Sequence, residues 1–132
     1  MCPRGARLLA GRGGLLEPTK LIVFCLVAAS GGSHVVVDTG FGLGDVQVRK
    51  RMGQPFRALV RPVVEEAETA ARQIAALGLD PADVRDVAVT HLDVDHAGGL
   101  GDFPGARVHV FAPELEAAKD PPRRERTRYR SA

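Results

Sequence analysis

The stretch that decides the fold reads Thr90-His91-Leu92-Asp93-Val94-Asp95-His96-Ala97-Gly98-Gly99. It follows an apolar run and places two imidazoles and two carboxylates within six residues. Imidazole and carboxylate together suit Zn²⁺, Fe²⁺ or Mn²⁺. The plainer interpretation is a polar loop in which the aspartates cap a helix. Because two histidines and two aspartates cluster so densely, we favour a metal site.

Strands and helices are indicated on both sides of this stretch. Val87-Ala88-Val89 shows no alternation, which predicts a strand over 86–90 that is covered on both faces. Two β-rich segments, 20–29 and 34–38, are separated by Ser30-Gly31-Gly32-Ser33, and this predicts a hairpin. A further strand is predicted over 107–111.

Helical signals lie between and after these strands. Glutamates begin the segment 65–77, alanines and Ile74 form a helical stripe, and Gly78 supplies the stop. A short helix is predicted over 113–119, a part-helical stretch over 45–51, and an irregular connection between Pro55 and Pro62. Alternating helices and strands predict an α/β fold, with a mixed β-sheet and flanking helices.

Length and charge exclude several classes of protein. The 132 residues fit one domain, and the formal net charge of +2 is too small to indicate nucleic-acid binding. The apolar run 21–29 is too short to span a membrane, and we prefer a buried strand there to a signal peptide.

Cys2 and Cys25 form no C-x-x-C pair, so a reducing cytoplasm is the expected setting. We expect the basic segment 120–132 to be a poorly ordered tail.

The run from Thr90 to Gly99 resembles the H-x-H-x-D-H signature of the metallo-β-lactamase-fold superfamily, including its lactonase-like and glyoxalase-like members. Val35-Val36-Val37-Asp38-Thr39-Gly40 resembles the earlier strand of the same superfamily, and the two motifs occur in the right order. The resemblance implies the N-terminal half of an αββα sandwich. It also implies a metal-dependent hydrolase of small esters, lactones or thioesters.

Carried across position by position, the resemblance assigns roles to four residues. His91 matches the first ligand of one metal site, and Asp95 with His96 matches the ligands of a second. Asp38 matches a residue that orients ligands from the neighbouring strand. Asp95 is the candidate to orient the attacking water and pass its proton to the leaving group. One or two Zn²⁺ ions are implied.

This sequence departs from the family pattern in two ways. Asp93 stands where a second histidine is usual, and a carboxylate ligand there would favour Mn²⁺ or Fe²⁺. The later ligands of the family are not seen, because the only histidine after His96 is His109, predicted to be exposed on a strand. We therefore expect a truncated or partial member whose unpaired sheet edge favours homo-oligomers.

Other interpretations remain open from sequence. The chain could be a non-catalytic remnant or interaction module that binds metal weakly. Asp38-Thr39-Gly40 also matches the aspartic-protease triplet, which would need a homodimer to supply two carboxylates. A nucleotide-binding turn at Gly40-x-Gly42-x-Gly44 is not favoured, because these glycines lack the spacing of that motif. Among single residues, His34 is predicted to be solvated and Cys25 to lie in the core.

Overall fold

The computed structural model describes residues 1–4, 7, 11–48, 52–123, 125 and 129. It contains a four-stranded sheet in which the strands lie side by side in chain order. The strands are β1 (Leu26–Ser30), β2 (Ser33–Val37), β3 (Val84–Val89) and β4 (Arg107–Val110). β1 runs antiparallel to β2, whereas β2, β3 and β4 are mutually parallel. The mixed α/β architecture predicted from the sequence is confirmed.

The β1–β2 hairpin is also confirmed, but its first strand is shorter than predicted. Gly31 and Gly32 have φ angles of 58° and 80°, as the tight turns that match strand twist require. β1 begins only at Leu26, so the stretch before it lies outside the sheet. Cys25 is consequently exposed, and its predicted place in the core is wrong.

The helices are short. They are α1 (Leu43–Gln47), α2 (Gln54–Val60), α3 (Ala70–Ala76), α4 (Val94–Ala97) and α5 (Ala112–Lys119), with 3-10 turns at Glu66–Glu68, Pro81–Asp83 and Leu100–Asp102. The irregular connection predicted between Pro55 and Pro62 is wrong, because Pro55 lies in the first turn of α2, where a missing N–H costs no hydrogen bond. Residues 49–51 of the predicted part-helical stretch lie outside the described residues. No helix among the described residues is long and apolar enough to cross a bilayer.

The helix predicted over 65–77 is interrupted at Thr69. This residue is extended, with ψ at 145°, and its hydroxyl donates to the carbonyl of Glu66 at 2.8 Å. The carbonyl of Glu66 also accepts from the N–H of Thr69 at 3.2 Å, so Thr69 closes the 3-10 turn and α3 starts only at Ala70. Leu77 falls beyond the end of α3 and is 71% exposed, so it leaves the predicted apolar stripe.

The core lies between α3 and one face of the sheet. Its buried members come from the sheet, from α3 and from Phe103 after the 3-10 turn Leu100–Asp102, and the others are Val36, Val84, Val87, Val89, Ala70, Ala71 and Ile74. His34 alternates with Val36 on β2 and is only 6% exposed, so its predicted solvation is wrong. On the opposite face Val35 is 40% exposed and Ala88 only half-buried, so β3 is not covered on both sides as predicted.

Two loops at one end of the sheet pack backbone against backbone. The N–H of Thr39 donates to the carbonyl of His96 at 2.7 Å, and the N–H of Gly99 donates to the carbonyl of Gly40 at 3.1 Å. A Cβ on Gly42 would lie 2.5 Å from the carbonyl oxygen of Gly98. Glycine is therefore needed at position 42 for close approach, since its φ of −96° would suit any residue.

We expect Gly42→Ala to destabilise the fold by about 1–3 kcal/mol, because backbone atoms must move apart to admit the methyl group. Gly101→Ala is the matched control, since a Cβ there meets nothing within 4 Å. The free energy of unfolding from urea titration measures both. Equal stabilities of the two variants would contradict the close packing of these loops.

Candidate metal centre

The site forms where two parallel strands end. Asp38 follows β2 and Thr90 follows β3, and neighbouring parallel strands bring their carboxyl ends to the same edge of a sheet. The Thr90 N–H donates to Asp38 Oδ1 at 2.8 Å, and the Thr90 hydroxyl donates to Asp38 Oδ2 at 2.8 Å. Asp38 has a φ of 56°, a left-handed conformation that aspartate tolerates better than most residues. The carboxylate is thus fixed at the sheet edge.

The same carboxylate holds one of the histidines. Asp38 Oδ2 lies 3.0 Å from Nδ1 of His96. Burial raises the pKa of Asp38, but hydrogen bonds from His96 and Thr90 outweigh it and leave that pKa below its usual value. An ionised carboxylate requires Nδ1 to carry the proton, so Nε2 of a neutral His96 keeps its lone pair. Nε2 lies 3.8 Å from Asp95 Oδ2, which places a nitrogen and an oxygen ligand side by side.

The remaining two predicted ligands form a second pair. Nε2 of His91 lies 3.4 Å from Asp93 Oδ2, and Nδ1 of His91 lies 2.9 Å from the Thr90 hydroxyl. The imidazoles of His91 and His96 are adjacent, with ring centroids 4.0 Å apart. All four predicted ligand residues therefore lie in one small region.

The donor types fit a divalent cation, because neutral imidazole nitrogen and carboxylate oxygen are ligands of Zn²⁺ and its neighbours. The orientation of His96 fits as well, since a ligating histidine usually donates its other N–H to a carboxylate. The four side chains nevertheless form two separate pairs, His91 with Asp93 and His96 with Asp95. Within the part of the chain that the structure describes, no three histidine, cysteine, aspartate or glutamate side chains converge as a bound ion requires.

His109 does not join this region. Its Nε2 lies 2.7 Å from Asp86 on the sheet, and its side chain is 57% exposed, so the predicted exposed strand histidine is confirmed. Arg107 bonds to the same carboxylate, and hydrogen bonds from His109 and Arg107 hold the pKa of Asp86 below its usual value. This charge cluster is satisfied by its own members.

Sequence reasoning missed three polar side chains that brace the site. The hydroxyl of Thr39 donates to the carbonyl of His96 at 3.0 Å and accepts from the N–H of Gly99 at 3.1 Å. Asp102 accepts from the N–H of Leu43, the first residue of α1, at 3.0 Å. Glu114 of α5 accepts from the N–H of Leu92 at 2.9 Å, although 22 residues separate them. Thr39 adjoins a predicted site residue, but nothing local in the sequence singles out Glu114.

The hydrogen bonds of Asp38 bear on the aspartic-protease alternative. Both oxygens of Asp38 accept hydrogen bonds from its own chain, which does not favour a second carboxylate sharing a proton with it as in an aspartic protease.

In the segment 120–132, the hydroxyl of Tyr129 donates to Glu114 Oε2 at 3.1 Å. Residues 124, 126–128 and 130–132 of that segment lie outside the described residues.

Curated relatives include a probable metallo-hydrolase and N-acyl homoserine lactonases. The chain is 47% identical to a probable metallo-hydrolase of Mycobacterium bovis over 83% of its own length and 36% of that protein. It is 45% identical to an N-acyl homoserine lactonase of Agrobacterium fabrum over 76% of its own length and 38% of that protein. The chain therefore spans little more than a third of the length of these relatives.

Solved structures share the fold. A probable metal-dependent hydrolase from Staphylococcus aureus matches with a TM-score of 0.72 at 21% identity, over 97% of this chain and 49% of that one. An N-acyl homoserine lactone hydrolase, solved with its product at the catalytic metal centre, matches with a TM-score of 0.70 at 22% identity, over 97% of this chain and 52% of that one. The chain therefore shares the fold of these two structures.

The family model described as metallo-beta-lactamase superfamily matches residues 18–132, which include both β2 with Asp38 and the whole loop from Thr90 to Gly99. Members of this superfamily bind divalent metals, typically zinc. With its aspartate-held histidine at the ends of two parallel strands, the chain belongs to the metallo-beta-lactamase superfamily.

Proposed function

We propose that this chain contributes the first metal ligands of a hydrolase that acts on small esters, lactones or thioesters. The observation that carries the proposal is the contact of Asp38 with Nδ1 of His96, which leaves Nε2 beside Asp95. A histidine held in this way is prepared to ligate a metal ion before the ion arrives. The names of the curated relatives favour lactones within this substrate range.

The proposed ligands are His91, Asp93, Asp95 and His96, and Asp38 orients His96 from behind. Zn²⁺ is the favoured ion, in one or two copies, and a ligating Asp93 would favour Mn²⁺ or Fe²⁺. A bound divalent cation supplies Lewis-acid polarisation of the carbonyl group that is attacked. Because the described residues offer donors in pairs, a complete site needs further donors beyond these four.

Asp95 is the proposed catalytic base. Its side chain is 18% exposed beside His96, so it can reach a water molecule at the site. Hydrolysis adds the water oxygen to the carbonyl carbon and breaks the bond to the leaving oxygen or sulfur. The Asp95 carboxylate takes the proton from the water and returns it to the leaving group, so that it ends the cycle unprotonated.

Metal binding and lactone hydrolysis test this proposal together. After dialysis against Zn²⁺, we expect elemental analysis to find retained metal in the protein. In His96→Ala a ligand is lost, so metal affinity should fall by at least about 10–100-fold, the effect of losing a residue that only orients a ligand. His109→Ala is the control and keeps the wild-type affinity, since His109 lies apart on the sheet. Hydrolysis of an N-acyl homoserine lactone is measured from the acid that ring opening releases.

Protein that retains no metal would contradict the proposal. Retained metal without turnover of lactone, ester or thioester would instead support the alternative of a non-catalytic metal-binding remnant.

Asp38→Asn tests the orienting role. The amide can place an NH₂ group against Nδ1 of His96, which favours the wrong tautomer, and we expect metal affinity to fall by about 10–100-fold. Asp86→Asn is the matched control, because Asp86 also contacts a histidine, at 2.7 Å, but on the exposed sheet. Zinc affinity measured by competition with a chromogenic chelator distinguishes the two. Equal affinities in both variants would remove Asp38 from the proposal.

We further propose that the chain self-associates through its sheet. β1 is an edge strand whose residues are mostly exposed, and Leu26 is 63% exposed beside the open apolar face that carries Val35. Exposed strand edges and apolar faces favour pairing with another copy. Light scattering is expected to show dimers or larger species at working concentration. A clean monomer would contradict this proposal.

A further inference from the structure

A groove lies along α2, on the side of that helix opposite to its contact with Phe41 in the loop after β2. Its volume is about 530 Å³, and it is lined by Met52, Gln54, Arg57, Ala58, Arg61, Pro62 and Val64. The other side of α2 is anchored by Phe56, whose ring packs edge-on against Phe41 with centroids 6.3 Å apart. The groove has the volume of a small-molecule site.

The floor of the groove is apolar and its wall is cationic. Met52 is 3% exposed and Val64 is 2% exposed, so the floor is fixed by the packed part of the protein. Gln54, Arg57, Ala58 and Arg61 recur at helical spacing and share one face. An apolar base with a few convergent polar groups is the usual composition of a ligand pocket.

Among the described residues, the two guanidinium groups have no acidic partner. Every aspartate and glutamate of the chain lies in the described residues, and none of them forms an ion pair with Arg57 or Arg61. The sequence from Val46 to Val64 contains no acidic residue at all. Two like charges four residues apart on a helix repel each other, and an anion between them removes that repulsion.

Arg61 also occupies an unusual backbone position. It ends α2 in the left-handed conformation, with φ at 49° and ψ at 59°, where glycine or asparagine is the common choice. Its carbonyl accepts a hydrogen bond from the N–H of Cys2, which holds this position from the N-terminal segment. An arginine kept at a strained position is better explained by what its side chain does than by backbone preference.

We propose that this groove binds a small molecule that has an oxyanion head, a carboxylate or a phosphate, and an apolar body. The head lies between the guanidinium groups of Arg57 and Arg61, whose planar forks match both oxyanions. The body lies on Met52, Pro62 and Val64. The concave shape and buried floor favour a small ligand over a lipid surface, although Leu59 and Val63 nearby are exposed.

Calorimetry with phenyl phosphate tests the proposal, and phenylacetate and inorganic phosphate identify the contributions of the head and the body. We expect phenyl phosphate to bind more tightly than inorganic phosphate, because only the former can cover the apolar floor. Arg57→Gln/Arg61→Gln should weaken phenyl phosphate by about ten-fold or more, since two charge-assisted hydrogen bonds are lost. The control Arg12→Gln/Arg85→Gln removes the same charge elsewhere and should bind as wild type.

A second variant guards against loss of the fold. Arg57→Lys/Arg61→Lys keeps both charges but removes the forks, so it should bind with intermediate affinity while its melting temperature stays that of wild type. The proposal is overturned if phenyl phosphate does not bind, or if the control pair weakens it as much as the groove pair does. Sedimentation with phosphatidylglycerol vesicles, but no binding of phenyl phosphate, would also overturn it and would assign the face to a lipid surface.

Discussion

The carboxylate of Asp38 is the group on which the geometry of the site depends. It is 5% exposed, and a buried charge is tolerated only when hydrogen bonds replace its lost water. Thr90 and His96 supply these bonds from the loop that follows β3. The Asp38 carboxylate thereby joins the ends of two parallel strands and fixes the ring of His96. The same hydrogen bonds keep the pKa of Asp38 below its usual value.

Close backbone packing completes what this carboxylate begins. Thr39 bonds to His96 and Gly99, while Asp45 accepts from the N–H of Gly42 inside the same packed region. Glycine at 42 and 98 permits backbones to meet where a side chain would clash. The loop from Thr90 to Gly99 is thus held by the packing of Gly42 against Gly98 on one side and by Glu114 of α5 on the other. This bracing limits how far His91 to His96 can move.

Charge is divided between two regions that α2 connects. The site side carries aspartates at 38, 45, 93, 95 and 102, which suit a cation. The groove side carries Arg57 and Arg61 without acidic partners, which suits an anion. Phe56 packs against Phe41 in the loop after β2, so the helix that forms the groove is in contact with the loop that follows Asp38.

The sequence by itself determined the features that depend on local pattern. These are the hairpin at Gly31–Gly32, the strand that precedes Thr90, and the family motif with its cluster of possible ligands. Each is expressed within about ten residues, which is the range over which turn chemistry and hydrophobic periodicity act.

Features set by distant contacts were decided only by the tertiary structure. It buries His34 and exposes Cys25, because packing overrides local preference there. Glu114 reaches Leu92 across 22 residues, and Asp38 reaches His96 across 58. No local pattern encodes such pairs, since the fold brings them together. The physical reason is that a buried carboxylate takes its partners from whatever the fold places beside it.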